Sequence, residues 1–296
     1  MKSPCLQEIE TLDPVRDHCR IVALTVQDGL MWDITRALEL ALFRTFAVPS
    51  IGALLNHTGE FQRSGQKRYD DTALLLNTLL QDGYDGPDGQ RALARMNRTH
   101  AHFKISNDDY LFVLSTFVLD PIDWIDRFGW RRLTAKEQKA LFIFWQQIGA
   151  RMGLTSLPNS LEEMKATSWK YVESNMRFTS ANEQVANSTI RIAEQWLPRI
   201  LRPLVRPVTA AVLEPHARQA VGLREAPSPI SWAVSATLKS RAVVMRTLRH
   251  RPKPNWPDGH RTYPNGYEIE DLAPCVLLET ENKSGTVSNS PDTADR

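Results

Sequence analysis

Two segments between Gln66 and Phe103 carry apolar residues at regular intervals. These are Gln66-Lys-Arg-Tyr-Asp-Asp-Thr-Ala-Leu-Leu-Leu-Asn-Thr-Leu-Leu80 and Arg91-Ala-Leu-Ala-Arg-Met-Asn-Arg-Thr-His-Ala-His-Phe103. Their apolar residues recur every three or four positions, which is the spacing of one face of an α-helix. The turn sequence Gly86-Pro-Asp-Gly89 separates them. The stretch therefore predicts two consecutive helices, each with a face directed into a core.

The second segment separates its two histidines. At about 100° per residue, the apolar side chains share one sector with one histidine: Leu93, Met96, His100 and Phe103. The opposite sector is polar: Arg95, Arg98 and His102. Residues two apart on a helix do not share a face. We therefore expect His100 in the apolar face and His102 in solvent.

The first segment places a cation on its apolar face. Arg68 and Thr72 project onto the stripe formed by the leucines at positions 75, 76 and 79. A buried guanidinium without a partner costs several kcal/mol or more, so Arg68 should have an anionic partner. The neighbouring carboxylates of Asp70 and Asp71 project elsewhere, so the sequence indicates none on this face.

A haem requires this combination of residues. It takes one axial imidazole from an apolar wall, and cationic and hydroxyl donors for its two carboxylates. On this hypothesis His100 is the iron ligand, Met96 and Phe103 line the cofactor, and Arg68 and Thr72 contact it. The alternative stays open, because a lone histidine on an apolar face is more often a hydrogen-bonded core residue, and an arginine can snorkel.

Composition limits the function classes. The chain has 296 residues, 42% hydrophobic and 24% charged, so it is long enough for a large core with room for a cofactor. Its net charge of +2 and interspersed charges give no sign of a nucleic-acid partner. The arginines at positions 199, 202 and 206 lack interleaved aromatic residues and are interpreted as a solvated face.

The terminal sequence and the cysteines suggest a soluble cytoplasmic protein. The N-terminus carries acidic residues where a signal peptide would be apolar, and no run approaches about 18 uncharged apolar residues, so we expect no integral membrane segment. Cys5, Cys19 and Cys275 are far apart and match no metal-ligand spacing, which suggests a reducing compartment. Nothing in the sequence indicates an oligomeric state.

Helical signals recur along the chain. They predict a helix from Pro14 to a break at Asp28-Gly29, helices capped by Ser106, Thr134 and Ser160, one or two long helices over 180–222, and a last helix over 229–248. Pro121 should kink or interrupt the helix that Ser106 caps. Residues 251–267, with Trp256, Tyr263 and Tyr267, are expected to cover the core irregularly.

The expected fold class is all-α in a single domain. Alternating strand patterns and repeats of 20–50 residues are absent from the sequence. We place a loose N-terminal arm at residues 1–13, the helical domain at 14–280 and a disordered tail at 281–296.

Other chemistries lack their motifs. There is no Gly-rich phosphate loop, no Glu-x-x-His on an apolar face and no nucleophile elbow, although Ser–His–Asp catalysis stays open. The His-x-His sequence at 100–102 would form a metal pair on a strand, but its side chains diverge on a helix.

An ordered series of motifs resembles a known family. The series is Arg68-Tyr-Asp-Asp-Thr72, Asn97-Arg-Thr-His-Ala101, Asp109 with Asp120-Pro-Ile-Asp-Trp124, Leu133-Thr-Ala-Lys-Glu137 and Tyr263-Pro-Asn-Gly-Tyr-Glu-Ile269. It resembles the MpaB-like oxygenases, which include bacterial latex-clearing rubber oxygenases and a fungal meroterpenoid-cleaving enzyme. The resemblance covers roughly residues 37–270.

The resemblance implies a globin-like helical fold that encloses haem b. It also implies that the histidine at position 100 is the proximal iron ligand, and that Arg68 and Thr72 lie close to the haem. The sequence departs from the rubber oxygenases at Asp71, where they carry a lysine able to cap the iron, and in lacking their secretion signal. Rubber is therefore not the expected substrate.

The resulting hypothesis is a haem-b oxygenase or related oxidoreductase. It would use O2 as co-substrate and act on an apolar small molecule, such as an isoprenoid, terpenoid or polyketide. Arg68 and Thr72 would act at the haem or the bound oxygen, and Glu60 is a candidate proton-transferring base unless it lies on the surface. Two alternatives stay open: a globin-like haem sensor or carrier without turnover, and a helical scaffold without cofactor.

Overall fold

The computed structural model describes residues 3–248 and 260–278, and these residues form α-helices without a strand. The predicted all-α fold class is confirmed. The helices are α1 Pro4–Thr11, α2 His18–Thr25, α3 Met31–Phe46, α4 Pro49–Thr58, α5 Glu60–Arg63, α6 Gly65–Asp82, α7 Pro87–His100, α8 Asn107–Phe128, α9 Ala135–Arg151, α10 Leu161–Asn175, α11 Ser180–Gln195, α12 Val205–Val212, α13 Pro215–Ala220 and α14 Ser228–Thr247. The disordered tail and the covering role predicted for residues 251–259 lie outside the described residues.

Side-chain caps begin three of the long helices as predicted. The hydroxyls of Ser106 and Ser160 accept the backbone N–H of Asp109 and Glu163, each at 3.0 Å. At the start of α9, Thr134 and Glu137 form the complete capping box. Each cap satisfies backbone donors that the first helical turn leaves unpaired, so these three boundaries are local properties of the sequence.

The largest apolar cluster joins α2, α3 and α6–α9. The long helix α8 packs along α3, while α9 packs on α2 and α7 on α6. Fully buried side chains such as Leu79, Ile125 and Phe144 fill the space between them. A second cluster gathers α11–α13 around the end of α3. The cofactor hypothesis concerns the first cluster, where α6 and α7 carry the predicted site residues.

The N-terminal arm was predicted to be loose, and this prediction is wrong for residues 4–11. They form α1, which Ser3 caps by accepting the N–H of Leu6 at 3.2 Å. Ile9 is 1% exposed and belongs to the main cluster, so burial of this side chain holds the helix. The next helix begins at His18 and not at Pro14, because the Asp13 carboxylate accepts the N–H of Val15 and forms a turn there.

Glycine and proline act as predicted at some positions and not at others. Gly29 has a φ of +81° and ends the straight run of α2, which confirms the predicted break. Pro121 does not interrupt α8, which continues from Asn107 to Phe128 while Pro121 itself is buried. In the 180–222 region, the prolines divide the predicted long helices into α11, a 3₁₀ turn at Arg202–Leu204, α12 and α13.

Two remaining sequence expectations concern exposed surfaces and membranes. Arg199 and Arg206 are exposed, in agreement with a solvated face. Within residues 3–248 and 260–278, no single helix is long and apolar enough to cross a bilayer. One pair of segments, His18–Phe46 and Pro49–Thr58, meets that criterion only when both are taken together, and the pair is bent by 98°.

Candidate haem site

One cavity collects every residue that the sequence selected. It has a volume of about 280 Å³ and lies between α3, α4, α6, α7 and α8. The six predicted residues all line it: Glu60, Arg68, Thr72, Met96, His100 and Phe103. The rest of its wall is mainly apolar, and the segment Leu272-Ala-Pro274 closes one part of it. We call it the His100 cavity.

His100 is the last residue of α7 and faces this cavity, whereas His102 is exposed. This placement confirms the helical projection. The His100 ring packs edge-on against Tyr110, with 5.6 Å between ring centroids. Its Nδ1 atom is buried and has no hydrogen-bond partner among the described residues. The ring is therefore not the hydrogen-bonded core histidine of the alternative interpretation.

The environment of His100 keeps its imidazole neutral. Burial, and to a smaller extent the nearby Arg68 guanidinium, lower the pKa of His100 to about 4. A neutral imidazole retains the lone pair with which it binds iron. The site thus offers a neutral imidazole as a nitrogen ligand at neutral pH.

Arg68 lies on the cavity wall as α6 predicts. Its Nη1 donates to the hydroxyl of Thr72, one turn along the helix, and that hydroxyl donates to the Arg68 carbonyl at 2.8 Å. The guanidinium lies over the Phe61 ring at 5.9 Å. Among the described residues, no carboxylate forms an ion pair with Arg68. Burial lowers its pKa, although the charges of Asp71 and Glu60 oppose that effect.

The adjacent residues Asp70 and Asp71 of α6 bind the C-terminal segment. Asp70 accepts the N–H and the hydroxyl of Thr262 at 2.8 and 2.7 Å, so it points away from the cavity as expected. Asp71 was also expected to point away, but it borders the cavity. It remains unavailable to Arg68 because Lys67 and Tyr263 donate to it at 2.7 and 2.6 Å.

Glu60 is not a surface carboxylate. It is 5% exposed at the start of α5 and borders the cavity. Its nearest cation is Arg63, 3.8 Å away and largely exposed. A buried carboxyl on the wall of the cavity is suitably placed for proton transfer, which keeps the sequence hypothesis open.

The sequence projection misplaced one arginine and did not select two polar cavity residues that lie next to His100. Arg95 was predicted to be in solvent but is 4% exposed, because the turn Ile269–Asp271 packs on α7 and covers that side. The cavity also contains Tyr110, which contacts His100, and Thr99, whose hydroxyl is buried without a partner among the described residues. The adjacency of Thr99 to His100 was the only available signal for these two.

These residues fit a haem better than a metal ion held by protein ligands alone. Within the described ranges, no three His, Cys, Asp or Glu side chains come together as a metal site. A haem needs only one nitrogen ligand from the protein, because the porphyrin nitrogens supply most of the ligands of the iron. The single imidazole, the apolar wall and an unpaired guanidinium match that requirement.

The comparisons with known proteins concern the family and the fold of the chain. Residues 29–250 match the family described as "ER-bound oxygenase mpaB/B'/Rubber oxygenase, catalytic domain". The ER-bound oxygenase mpaB' of Penicillium brevicompactum is 33% identical over 233 residues, which are 71% of this chain and 54% of that protein. This chain therefore spans about half of that relative's length. The ER-bound oxygenase mpaB of Penicillium roqueforti (strain FM164) is 30% identical over 218 residues, 67% of this chain and 72% of that protein.

A solved structure has the same fold. The closed state of the latex clearing protein LCP superimposes with a TM-score of 0.54 at 12% identity, over 86% of this chain and 72% of that one. Identity at this level concerns the fold alone. The family match over most of the chain shows that the protein belongs to the family of the ER-bound oxygenases mpaB and mpaB' and the rubber oxygenases.

Proposed function

We propose that this protein is a haem-b-dependent oxygenase that uses O2 to oxidise an apolar small molecule of the isoprenoid, terpenoid or polyketide type. One observation carries the proposal: a neutral imidazole, His100, lies on the wall of an apolar cavity with no hydrogen bond to its Nδ1 from the described residues. The family's shared oxygenase description supports the reaction class.

Different residues of the cavity wall would contact different parts of the haem. His100 would bind the iron, and Met96 and Phe103 would pack against the ring system. Arg68 has donors and a positive charge that no carboxylate among the described residues neutralises, so it would bind a haem carboxylate or steady bound oxygen. Thr72 holds the Arg68 side chain by accepting a hydrogen bond from its Nη1, and the Thr72 hydroxyl would donate to a ligand only in place of its bond to the Arg68 carbonyl. When bound, haem b would supply the iron that activates O2.

The protein itself contributes exclusion of water and a proton carrier. The apolar wall removes competing hydrogen-bond partners, which strengthens the interactions of Arg68 and Thr72 with any bound acceptor. Glu60 is the candidate base at the cavity wall. By the resemblance, Asp71 stands where the rubber oxygenases carry a lysine, so a lysine cap on the iron and rubber as the substrate are not part of the proposal.

Hemin reconstitution of matched histidine variants tests the proposal. We expect the purified protein to take up hemin and show a Soret band, His100→Ala to abolish that band, and His102→Ala to retain it. The His102 variant is the control because it removes an exposed imidazole two residues away. Absence of uptake, or loss of the band in the His102 variant alone, would contradict the proposal.

Oxygen consumption separates the oxygenase from a carrier. Mixing the hemin-loaded, reduced protein with candidate apolar substrates should consume O2 and substrate together. Stable O2 binding without consumption of any candidate would favour the sensor or carrier instead.

We also propose the cytoplasmic location that the sequence suggests. Two of the relatives are named as ER-bound, so membrane association is the outcome that would contradict it. Fractionation of the native host, with detection of the protein in the soluble and membrane fractions, distinguishes the two.

A further inference from the structure

A second cavity lies next to the His100 cavity and is not used by the proposed haem site. Its volume is about 520 Å³, and it runs between α3 and α6 with Phe117 of α8 and Met245 of α14 in its wall. We call it the Trp32 cavity, after the indole at its rim, which is 39% exposed.

The two cavities share a wall. Five residues line both: Leu38, Leu42, Thr72, Leu76 and Phe117. Helices α3 and α6 flank both spaces, and the Tyr69 hydroxyl bridges them by donating to Glu39 Oε1 at 2.6 Å. Thr72, the partner of Arg68, is therefore placed where a molecule in the Trp32 cavity would reach the His100 cavity.

The wall of the Trp32 cavity is mainly apolar, but its rim carries cations. The Trp32 ring lies between two guanidiniums, with Arg241 at 3.8 Å and Arg36 at 5.7 Å from its centroid. Arg241 pairs with Asp33 at 3.0 Å, and Arg36 pairs with Glu39 at 2.6 Å. The Nε of Arg36 remains without a partner among the described residues.

The balance of these groups favours a ligand with an acceptor at one end. Glu39 is the one acidic residue among the described residues that line the cavity, and Asp33, which pairs with Arg241, lies outside the lining. The Tyr69 hydroxyl and an Arg36 nitrogen already donate to Glu39, so its accepting capacity is largely used. Arg36 itself lines the cavity, and a carboxylate or carbonyl oxygen is the group that a guanidinium there would bind.

We propose that the Trp32 cavity is the substrate chamber of this protein, and that it binds an elongated apolar molecule with its hydrogen-bond-accepting end at Arg36 and its apolar body directed toward Thr72. This inference rests on the proposed oxygenase function for its biological meaning. Its binding test does not require turnover, so the two can fail separately.

Ala73 allows the chamber to be filled without touching the haem site. It lies on α6, lines the Trp32 cavity and does not line the His100 cavity. We expect the apo-protein to bind cis-parinaric acid, a fluorescent fatty acid, and Ala73→Trp to weaken that binding at least tenfold while hemin uptake is unchanged. Gln81→Trp adds the same side chain at an exposed position of α6 and is the matched control, with wild-type binding expected.

Arg36 variants locate the accepting end. Arg36→Met should weaken binding of the fatty acid several-fold and Arg36→Lys should restore part of it, whereas both should bind the corresponding hydrocarbon like the wild type. In the hemin-loaded protein, the probe should still bind, with its fluorescence quenched by the nearby porphyrin.

The outcomes separate the two proposals. Probe binding without any hemin uptake would refute the haem function and leave the chamber standing. Unchanged probe affinity in Ala73→Trp, or displacement of the probe by hemin, would refute the second cavity as a separate chamber. Equal affinity of the acid for the wild type and Arg36→Met would refute the assigned orientation.

Discussion

Arg131 and Arg68 are both largely buried, but only Arg131 forms ion pairs with carboxylates among the described residues. Arg131 lies between α2 and α9, where its side chain is 12% exposed and contacts Asp28 at 2.8 Å and Glu137 at 2.7 Å. Burial by itself lowers the pKa of Arg131, but the hydrogen bonds and charges of these two carboxylates raise it overall. For Arg68, burial prevails and the pKa is lowered.

The opposite pKa shifts of Arg131 and Arg68 reflect whether the guanidinium has an ion pair within the protein. A buried ion pair with all its hydrogen bonds made costs little net free energy, while a guanidinium without a counter-charge destabilises the fold. The protein retains that cost at Arg68, on the wall of a cavity beside His100. Arg131 serves folding, and we infer that Arg68 serves binding.

The largest expected effect is on the Arg131 side. Glu137→Ala should lower the free energy of unfolding by about 3–5 kcal/mol, because it leaves Arg131 with one carboxylate and removes the side-chain half of the capping box of α9. Glu137 is 1% exposed and also accepts the Thr25 hydroxyl at 2.9 Å. Urea denaturation measures the change.

Glu163→Ala is the matched control for that prediction. Glu163 occupies the same position in the first turn of α10 and accepts the N–H of Asn159 at 2.8 Å, but it is exposed. Its loss should cost about 1 kcal/mol or less. Equal losses in the two variants would mean that the buried ion cluster contributes nothing beyond the cap.

The next prediction reverses the comparison. Arg68→Leu should leave the stability of the apo-protein unchanged or raise it, because it removes a charge that lacks a counter-charge, and should weaken hemin binding by about tenfold, or about 1.4 kcal/mol. Arg131→Leu should lower stability and leave hemin affinity intact. Calorimetric unfolding and hemin titration give the two readouts. Loss of apo-protein stability in both variants would remove the distinction.

The pH dependence of stability should follow the Arg131 cluster. Burial opposes ionisation of Glu137, but Arg131 and the Thr134 cap lower its pKa overall below the ordinary value of 4.5. A lowered folded pKa stabilises the protein above pH 4.5, and that stability is lost as the pH falls through the folded value. Glu137→Gln should therefore show a smaller decline in acid. Denaturant midpoints measured from pH 6 to 3 for both proteins test this.

The smallest expected effect concerns the carboxylate beside Arg68. Tyr263→Phe removes the hydrogen bond to Asp71 and should cost about 0.5–1.5 kcal/mol, since Lys67 still pairs with Asp71. Hemin affinity should stay within about twofold of wild type, unless Asp71 then turns to Arg68 and neutralises it. A marked loss of affinity would show that Tyr263 keeps Arg68 available.

Local rules accounted for much of the fold. The capping box at Thr134, the break at Gly29 and the α6 and α7 helices follow from residues within one or two turns of each other. The same fixed geometry placed His100 on the cavity and His102 in solvent. Roles for Arg68, Thr72 and Glu60 in binding or catalysis remain predictions.

The errors share a different origin. Arg95 is buried because residues 269–271, far along the chain, cover one side of α7. Residues 4–11 are helical because the Ile9 side chain packs into a core that later helices form. Neither contact can be read from the apolar periodicity of the sequence around Arg95 or Ile9.

By itself, the sequence determined the helices, their caps and the faces on which an imidazole and a guanidinium lie, because helical geometry is set by neighbouring residues. The tertiary structure was needed to show that those faces meet around one cavity. It was also needed to show that Tyr263 donates a hydrogen bond to Asp71 and that a second cavity adjoins the first at Thr72. Cavities and counter-charges depend on distances between segments far apart in the chain, and these distances are fixed only when the helices pack.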